Sequence, residues 1–279
     1  MMNFTDKINE LTIDGHIHLF DGSSYLDSYD AAREVSEYFG IKKFIGFIDI
    51  PLNKLDKCDI VGAYEDFIKK FYDSSKHVLL ASAVNADDVI KIYEDHSDII
   101  RGFGEFKLYE NYRGEYVGLD KVSEVRKVCR YSSVHGNLPI YIHYSLINSY
   151  RIDRLRNILK DFPTVPIVLC HCGMAVNSAD TQNDIYRKII ILQHEYSNLW
   201  IDISFSAARF FVKNPLLLTN LCLDRCFLGS DLNPNIFSEE SKKYIKDTEK
   251  YCADQYENIL LLNKYIPSDK NLKALFKLS

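Results

Sequence analysis

Apolar residues along this chain gather into short runs that alternate with stretches of helical period. The runs Leu11–Phe20, Lys42–Ile50, His77–Asn85, Ile100–Tyr109, Leu138–Ser145, Val165–Gly173, Asn198–Ser206 and Asp224–Leu232 predict strands. Between them, helical spacing predicts helices over Ser28–Phe39, Asp59–Tyr72, Ala86–Asp95, Asp120–Tyr131, Ser149–Asp161, Thr181–Glu195 and Asn214–Leu223. A further helical region, with a break, is expected over Ser238–Tyr265, and a short last helix over Asp269–Lys277. The strand runs are almost continuously apolar, which fits strands buried on both faces of a parallel sheet covered by helices. Eight strand-then-helix units is also the number that closes a barrel, so the pattern predicts an α/β fold of the (β/α)8 TIM-barrel type.

An open doubly wound sheet is the alternative. It would want a glycine-rich turn after the first strand, and the chain there reads His16-Ile-His18-Leu-Phe-Asp-Gly. No repeat, low-complexity segment or linker divides the sequence, so residues 1–279 are expected to form one barrel domain. With 279 residues and 47% hydrophobic content, the chain can bury one large core.

Charge narrows the choice of partners. The formal net charge is −5 and no dense basic run occurs, which disfavours nucleic acid. No apolar run approaches the roughly 20 residues of a membrane helix, and the polar segment Met1–Leu11 predicts no secretory leader. Seven cysteines without a CxxC pair suit reduced thiols in a cytoplasmic protein.

The eight histidines divide between the two ends of the expected barrel. His16, His18, His143 and His171 fall at the carboxyl ends of strands, where barrel enzymes build their sites. His77, His96, His135 and His194 fall just before strands or at the ends of the helices leading into them, where a structural role is the expectation. His16 and His18 are two apart and share a face, and Asp231 closes the run Cys226–Ser230. Imidazoles and a carboxylate from different strand ends, meeting at one mouth, suit a divalent transition metal. Cys170 and Cys172 flank His171, with packing as their expected role and ligation as the alternative.

The fourth strand adds ionisable groups. In Arg-Gly-Phe-Gly-Glu-Phe-Lys, Glu105 and Lys107 share a face. If that face is the barrel interior, both must be paired or metal-bound. Glu105 is expected to bind or bridge a second cation. Lys107 could do so if carboxylated, or could contact a substrate carboxylate. An ordinary ion pair is the alternative for both.

Asp-Gly-His16-Ile-His18, His143 after Leu-Pro-Ile-Tyr-Ile, His171 after Ile-Val-Leu-Cys, and Phe-Leu-Gly-Ser-Asp231-Leu-Asn-Pro together resemble the amidohydrolase superfamily. The nearest branch is the amidohydrolase-related (amidohydrolase-2) group. The resemblance runs from Ile13 to Asp231, and the segment with Leu272, Leu275 and Phe276 is similar to that family's closing helix. It implies that His16 and His18 bind the more buried metal, that His143 and His171 complete one or two sites, and that Asp231 is the general base. The element Gly-Glu105 resembles the fourth-strand glutamate of TatD-like nucleases. Those usually carry Glu-Thr-Asp where this chain has Gly-Ser-Asp231.

The expected cofactor is thus one or two divalent ions, zinc first, with manganese, iron or nickel as alternatives. The expected chemistry is metal-dependent hydrolysis of a small amide, lactone or ester. A TatD-like phosphodiester hydrolase (DNase) and a metal-dependent decarboxylase are the alternative enzymes, and a structural metal site or ligand-binding module is the non-enzymatic one. Asp14 and Asp202 are candidates to orient the histidines, with capping or loop roles as the alternative. For substrate binding, Lys107 and Arg209 are the leading residues, with Tyr144, Arg113 and Asn233 also in loops at the mouth. The resemblance also implies a homodimer as a common state.

Overall fold

In the computed structural model, eight parallel strands run in chain order around the molecule: β1 (Ile13–Phe20), β2 (Lys43–Ile48), β3 (His77–Ala81), β4 (Ile100–Lys107), β5 (Ile140–His143), β6 (Ile167–Leu169), β7 (Leu199–Ile203) and β8 (Cys226–Leu228). The structure describes residues 11–20, 33–48, 59–83, 85–108, 118–174, 179–233 and 248–278. Arg113, the rest of the loop before 118, and the expected helical stretches 28–32 and 238–247 lie outside these residues. A parallel bridge between Ile17 and Leu232, with the His18 amide donating to the Leu232 carbonyl at 2.9 Å, brings the eighth unit back to the first. This is the (β/α)8 TIM barrel that the pattern predicts.

Helices follow the strands: α1 (33–38), α2 (Ile60–Phe71), α3 (Ala86–Asp95), α4 (Gly118–Val134), α5 (Ser149–Asp161), α6 (Ala179–Glu195), α7 (Phe205–Lys213), α8 (Thr248–Leu262) and α9 (Ser268–Phe276). Asp59, Asn85 and Asn148 start α2, α3 and α5 as side-chain caps, accepting from the amides of Gly62, Asp88 and Arg151. Each satisfies a backbone donor that the first helical turn leaves open.

Strand alternation builds two cores. Outward residues such as Phe44, Leu79, Phe103, Ile140, Leu169 and Ile201 pack under the helices. Inward residues Ile13, Ile45, Phe47, Val78, Leu80, Tyr141, Val168 and Phe227 fill the barrel, and α9 plugs its amino-terminal end with Leu272, Leu275 and Phe276. Asp269 at the start of α9 accepts from the Thr12 and Ile13 amides at 3.0 and 3.1 Å, which fixes that plug to β1. This is the closing helix that the sequence resemblance implies.

Two bulges put chemistry-bearing residues inside. Between Asp14 and Ile17, two residues of β1 (Gly15 and His16) face one of β2 (Ile45), so Ile13 and His16 both point inward despite opposite parity. Between Phe103 and Phe106, β4 does the same against β5. Phe103 and Phe106 both pack outward, which leaves Glu105, and by alternation Lys107, toward the interior. At Gly104, with φ of 104°, an added Cβ would meet the Tyr141 carbonyl oxygen at 2.3 Å, so only glycine fits the bulge.

Three expectations are corrected. The late strands are shorter than their apolar runs suggest, because the mouth residues leave the ladder to make turns. After β6 the chain forms a 3-10 turn, Cys170–Gly173, and His171 and Cys172 adopt left-handed backbone with φ of 52° and 53°. Asp231 likewise lies past the end of β8 with φ of 57°. The seventh helix begins at Phe205, directly after β7, and ends at Lys213; the expected helix over Asn214–Leu223 is instead the 3-10 segments Pro215–Asn220 and Leu223–Arg225. Pro215 accounts for that break, since it cannot donate within a continuing helix.

Candidate metal centre

At the carboxyl ends of the strands, inside the mouth, the histidine and carboxylate side chains converge. His16 and His18 come from β1, Glu105 from β4, His143 from β5, His171 from the turn after β6, Asp202 from β7 and Asp231 from the turn after β8. The six residues expected to bind metal, His16, His18, Glu105, His143, His171 and Asp231, all meet here, and the substrate-binding candidates Lys107 and Arg209 lie farther out. His77, His96, His135 and His194 stay at the other end or on the outside; His77, for example, is buried against Phe44 and Phe67 and accepts from the Asp73 amide.

Glu105 sits at the hub, with its Oε1 3.0 Å from His143 Nδ1, 3.3 Å from His171 Nε2 and 3.8 Å from His16 Nε2. Asp231 faces it from the far side: its Oδ1 is 3.0 Å from His18 Nε2 and 3.5 Å from His16 Nε2, and its Oδ2 is 3.8 Å from His171 Nε2. His16 Nε2 is buried and has no hydrogen-bond partner. Two overlapping sets of side chains, His16/His171/Asp231 and Glu105/His143/His171, each bring their ligand atoms within 4.8 Å of one another, as does a third, His16/Glu105/Cys170. Those spans fit nitrogen and oxygen donors arranged about a cation. Phe47 packs edge-on against His18 and Tyr141 against His16, which walls the rings in.

Behind the histidines lies a second set of groups. Asp202 Oδ2 is 2.7 Å from His16 Nδ1, accepts from the His171 amide at 3.2 Å and from the Ser204 hydroxyl at 2.6 Å, and Ser204 Oγ is 2.8 Å from His171 Nδ1. Asp14 has a different role. Its carboxylate accepts from the His16 and Ser230 amides at 3.1 and 2.9 Å and from the Tyr256 hydroxyl at 3.0 Å, pinning β1, the turn after β8 and α8 together. Of the two aspartates weighed from sequence, Asp202 touches a histidine ring and Asp14 does not. Ser204, two residues beyond Asp202 on the same face, went unremarked in the sequence; the alternation Asp202-Ile-Ser204 at a strand end was the available signal.

Buried charge is balanced within this cluster. Burial alone would push the His16 and His171 imidazoles down, but the surrounding carboxylates Asp202, Glu105 and Asp231 override it and hold both up at about 9. Burial works against ionising Asp231 and Glu105, yet the neighbouring histidines bring Asp231 to about 2 and Glu105 well below the usual carboxylate range. For His143 burial wins and its pKa is lowered despite Glu105. Burial first, then the charge of Glu105, pushes the Cys170 thiol up, so that it remains protonated. Cys172 belongs to the apolar core.

Around the rim, Lys107 ends β4, half-buried and in register with His143. Arg209 is exposed on α7, with its guanidinium 4.9 Å from the ring centre of Phe205, whose ring lies 6.2 Å from that of His171. Tyr251 of α8 is near both Asp231 and Arg209: burial, then Asp231, raise its phenol to about 12, against the pull of Arg209. Tyr144 is buried and Asn233 half-buried.

A parallel barrel that gathers four histidines and three carboxylates at the carboxyl ends of its strands has the architecture of a barrel enzyme. Residues 100–277 match the amidohydrolase-2 family, described as amidohydrolase, and the chain belongs to it. No protein of curated function is significantly similar in sequence. Among solved structures, the chain is similar to an amidohydrolase from Burkholderia multivorans with bound zinc (TM-score 0.61, 12% identity, 95% of this chain and 96% of that one). It is also similar to a TatD-family hydrolase from Entamoeba histolytica (TM-score 0.55, 11% identity, 96% and 100%). A third is the 5-carboxyvanillate decarboxylase from Novosphingobium aromaticivorans, complexed with manganese (TM-score 0.53, 13% identity, 98% and 97%). At these identities the likeness is one of fold. Among the described residues, no helix is long and apolar enough to cross a membrane.

Proposed function

We propose that this enzyme is a metal-dependent hydrolase that acts on a small amide, lactone or ester. The observation that carries the reading is the unpartnered, buried His16 Nε2, aimed between the carboxylates of Glu105 and Asp231 at 3.8 and 3.5 Å. A buried nitrogen without a partner costs free energy unless something fills that role, and the donor set around it suits a divalent ion, zinc first. His16, His18, Glu105, His143, His171 and Asp231 would hold one or two such ions, with His171 common to both sets.

A divalent cation in this position would lower the pKa of a water molecule toward neutrality and polarise a substrate carbonyl. The side chains do the rest. Asp231, held ionised by His171, His18 and His16, accepts the proton of the attacking water and passes it to the leaving group. His18 Nε2 lies 3.0 Å from Asp231 Oδ1, which keeps that carboxylate among the metal-facing histidines. Phe47 and Tyr141 limit water to the mouth side. At the rim, Arg209 has no carboxylate partner among the described residues, and with Tyr251 it offers a donor pair for an anionic substituent on the substrate. Lys107 could serve the same end from the opposite side of the mouth.

The test is the metal content of protein prepared without chelator or affinity metal, followed by a screen of lactones, amides, esters and phosphodiesters with carbon dioxide release monitored alongside. Bound metal with lactone, amide or ester turnover supports the proposal. Carbon dioxide release or phosphodiester cleavage in its place would reassign the reaction, and absence of bound metal after loading with zinc or manganese would overturn metal dependence.

A further inference from the structure

We propose that Asp202 is a positioning residue that dictates, through one carboxylate oxygen, which nitrogen of both His16 and His171 is left open to a metal. The inference rests on the metal-centre reading above for its purpose, but its geometric content stands apart from it.

A carboxylate oxygen accepts and has no proton to give. Asp202 Oδ2 lies 2.7 Å from His16 Nδ1, so Nδ1 carries the hydrogen of that contact. Ser204 has a single hydroxyl hydrogen, and its Oγ is 2.6 Å from the same Asp202 Oδ2. If that hydrogen pointed elsewhere, two acceptors would face each other across 2.6 Å, so it is given to Asp202. Ser204 Oγ is then an acceptor toward His171 Nδ1 at 2.8 Å, and Nδ1 of His171 must be the donor.

One oxygen therefore orders two rings, His16 directly and His171 through Ser204. In both, Nδ1 keeps its hydrogen and Nε2 is the nitrogen free to give one up. Those Nε2 atoms are the ones that face Glu105, at 3.8 and 3.3 Å, and Asp231, at 3.5 and 3.8 Å. The opposite tautomers would aim Nε2 hydrogens into the space that a cation needs.

The carboxylate's own placement agrees. Asp202, Ser204 and His16 are fully buried and His171 nearly so. Asp202 also takes the His171 amide at 3.2 Å, fixing the turn that carries that ring, while its other oxygen, Oδ1, is buried without a partner. A carboxylate retained only for packing would not be expected to concentrate every hydrogen bond on one oxygen and leave the other bare. Outer groups of this kind typically change metal affinity by about 10–100-fold when removed.

The test has two independent readouts. In metal-free, histidine-15N-labelled protein at a pH where the rings are neutral, nitrogen chemical shifts report the tautomers. Nδ1–H on both His16 and His171 is expected, with Ser204→Ala disturbing only His171, Ser204→Thr restoring it, and Asp202→Asn disturbing both. Finding Nε2–H on either ring of the wild-type protein overturns the proposal. In the second readout, cobalt(II) is titrated against a competing chelator. Asp202→Asn is expected to weaken binding by about 10–100-fold, and Ser204→Ala by a smaller factor that Ser204→Thr recovers. Unchanged cobalt affinity and visible spectra in both Asp202→Asn and Ser204→Ala also overturn it. Should Asp202→Asn fail to fold, the Ser204 pair decides the matter. Wild-type protein that binds no cobalt but shows both Nδ1–H tautomers would defeat the metal reading while leaving the tautomer assignment intact.

Discussion

Asp231 and His16 meet at two places, one of them a hydrogen bond. The Asp231 amide donates to the His16 carbonyl at 2.9 Å, and the Asp231 carboxylate stands 3.5 Å from His16 Nε2. The same contact that returns the eighth strand to the first therefore also sets the base against the first histidine. Backbone and side-chain geometry are not independent here, so changes to either residue can be separated only by substitutions that keep the backbone contact.

Asp231→Asn preserves that amide and the approximate shape of the side chain. It is expected to leave most of the metal bound and to reduce turnover by about 10²–10⁴-fold, the usual worth of a positioned base. His16→Ala should instead remove the metal. Metal content and turnover, measured on both variants, make the check, and retained activity in Asp231→Asn would sink the assignment of the base.

Glu105 reaches three histidines from the hub of the cluster. Glu105→Gln keeps the size of the side chain while removing its charge. If the wild-type protein takes up two equivalents of metal, this variant should hold no more than one, as counted by mass spectrometry. Two equivalents in the variant would exclude Glu105 as an essential ligand.

Without metal, stability should depend on pH in a definite direction. Burial alone would lower the His16 and His171 pKa values, but the facing carboxylates raise them from 6.5 to about 9. Protons on these rings thus favour the folded state. That contribution is whole below pH 6.5 and is lost as the pH climbs through about 9. Asp231 acts at the other end, its contribution present above 3.8 and lost as the pH falls through about 2. Thermal midpoints of metal-free protein should fall between pH 6.5 and 9. Added zinc should flatten that fall, because binding displaces the same protons. An equally steep fall with and without zinc would contradict this.

Gly229 lets the chain after β8 pass directly over the first metal-facing histidine. A Cβ built there would lie 2.5 Å from His16 Cβ and 2.8 Å from its amide nitrogen. Gly229→Ala is expected to cost about 1–3 kcal/mol of stability, as overpacking does, and to weaken metal binding. Denaturant titration of the metal-free protein measures the first effect and chelator competition the second.

Tyr256 ties α8 to Asp14, and its hydroxyl also lies 2.5 Å from that of Ser36 on α1. Tyr256→Phe leaves the buried Asp14 oxygen one donor short, an expected loss of about 1–3 kcal/mol. The midpoint should drop by about 2–4 °C for each kcal/mol. A thermal midpoint equal to that of the wild-type protein would show that the contact contributes little.

The positions that could be read from sequence are those that follow strand alternation. His16 and His18 share a face, His143 ends an apolar run, and the barrel's order follows from its repeated units. What escaped was set by departures from alternation. The bulge in β1 changes parity between Ile13 and His16, and the left-handed turn at His171 lifts that residue off its strand. Helix α7 starts at Phe205 because β7 stops at Ile203, a boundary that the apolar run Phe205-Ser-Ala-Ala-Arg-Phe-Phe does not mark. In sequence Asp202 and Asp14 stand equal as candidates to orient the histidines, and only the fold separates them, by bringing His16 Nδ1 to 2.7 Å from Asp202.

The barrel's final strand meets its first through the Ile17–Leu232 bridge, and the metal-facing side chains straddle that junction. His18 and Asp231 are 213 positions apart in the chain. An ion held between them would work as a removable cross-link, closing about three-quarters of the polypeptide into one loop, and the stability that it adds would depend on its concentration. Metal supply would then govern how long each molecule survives as well as how fast it works, since a chain stripped of its ion could open first at the junction where its chemistry resides.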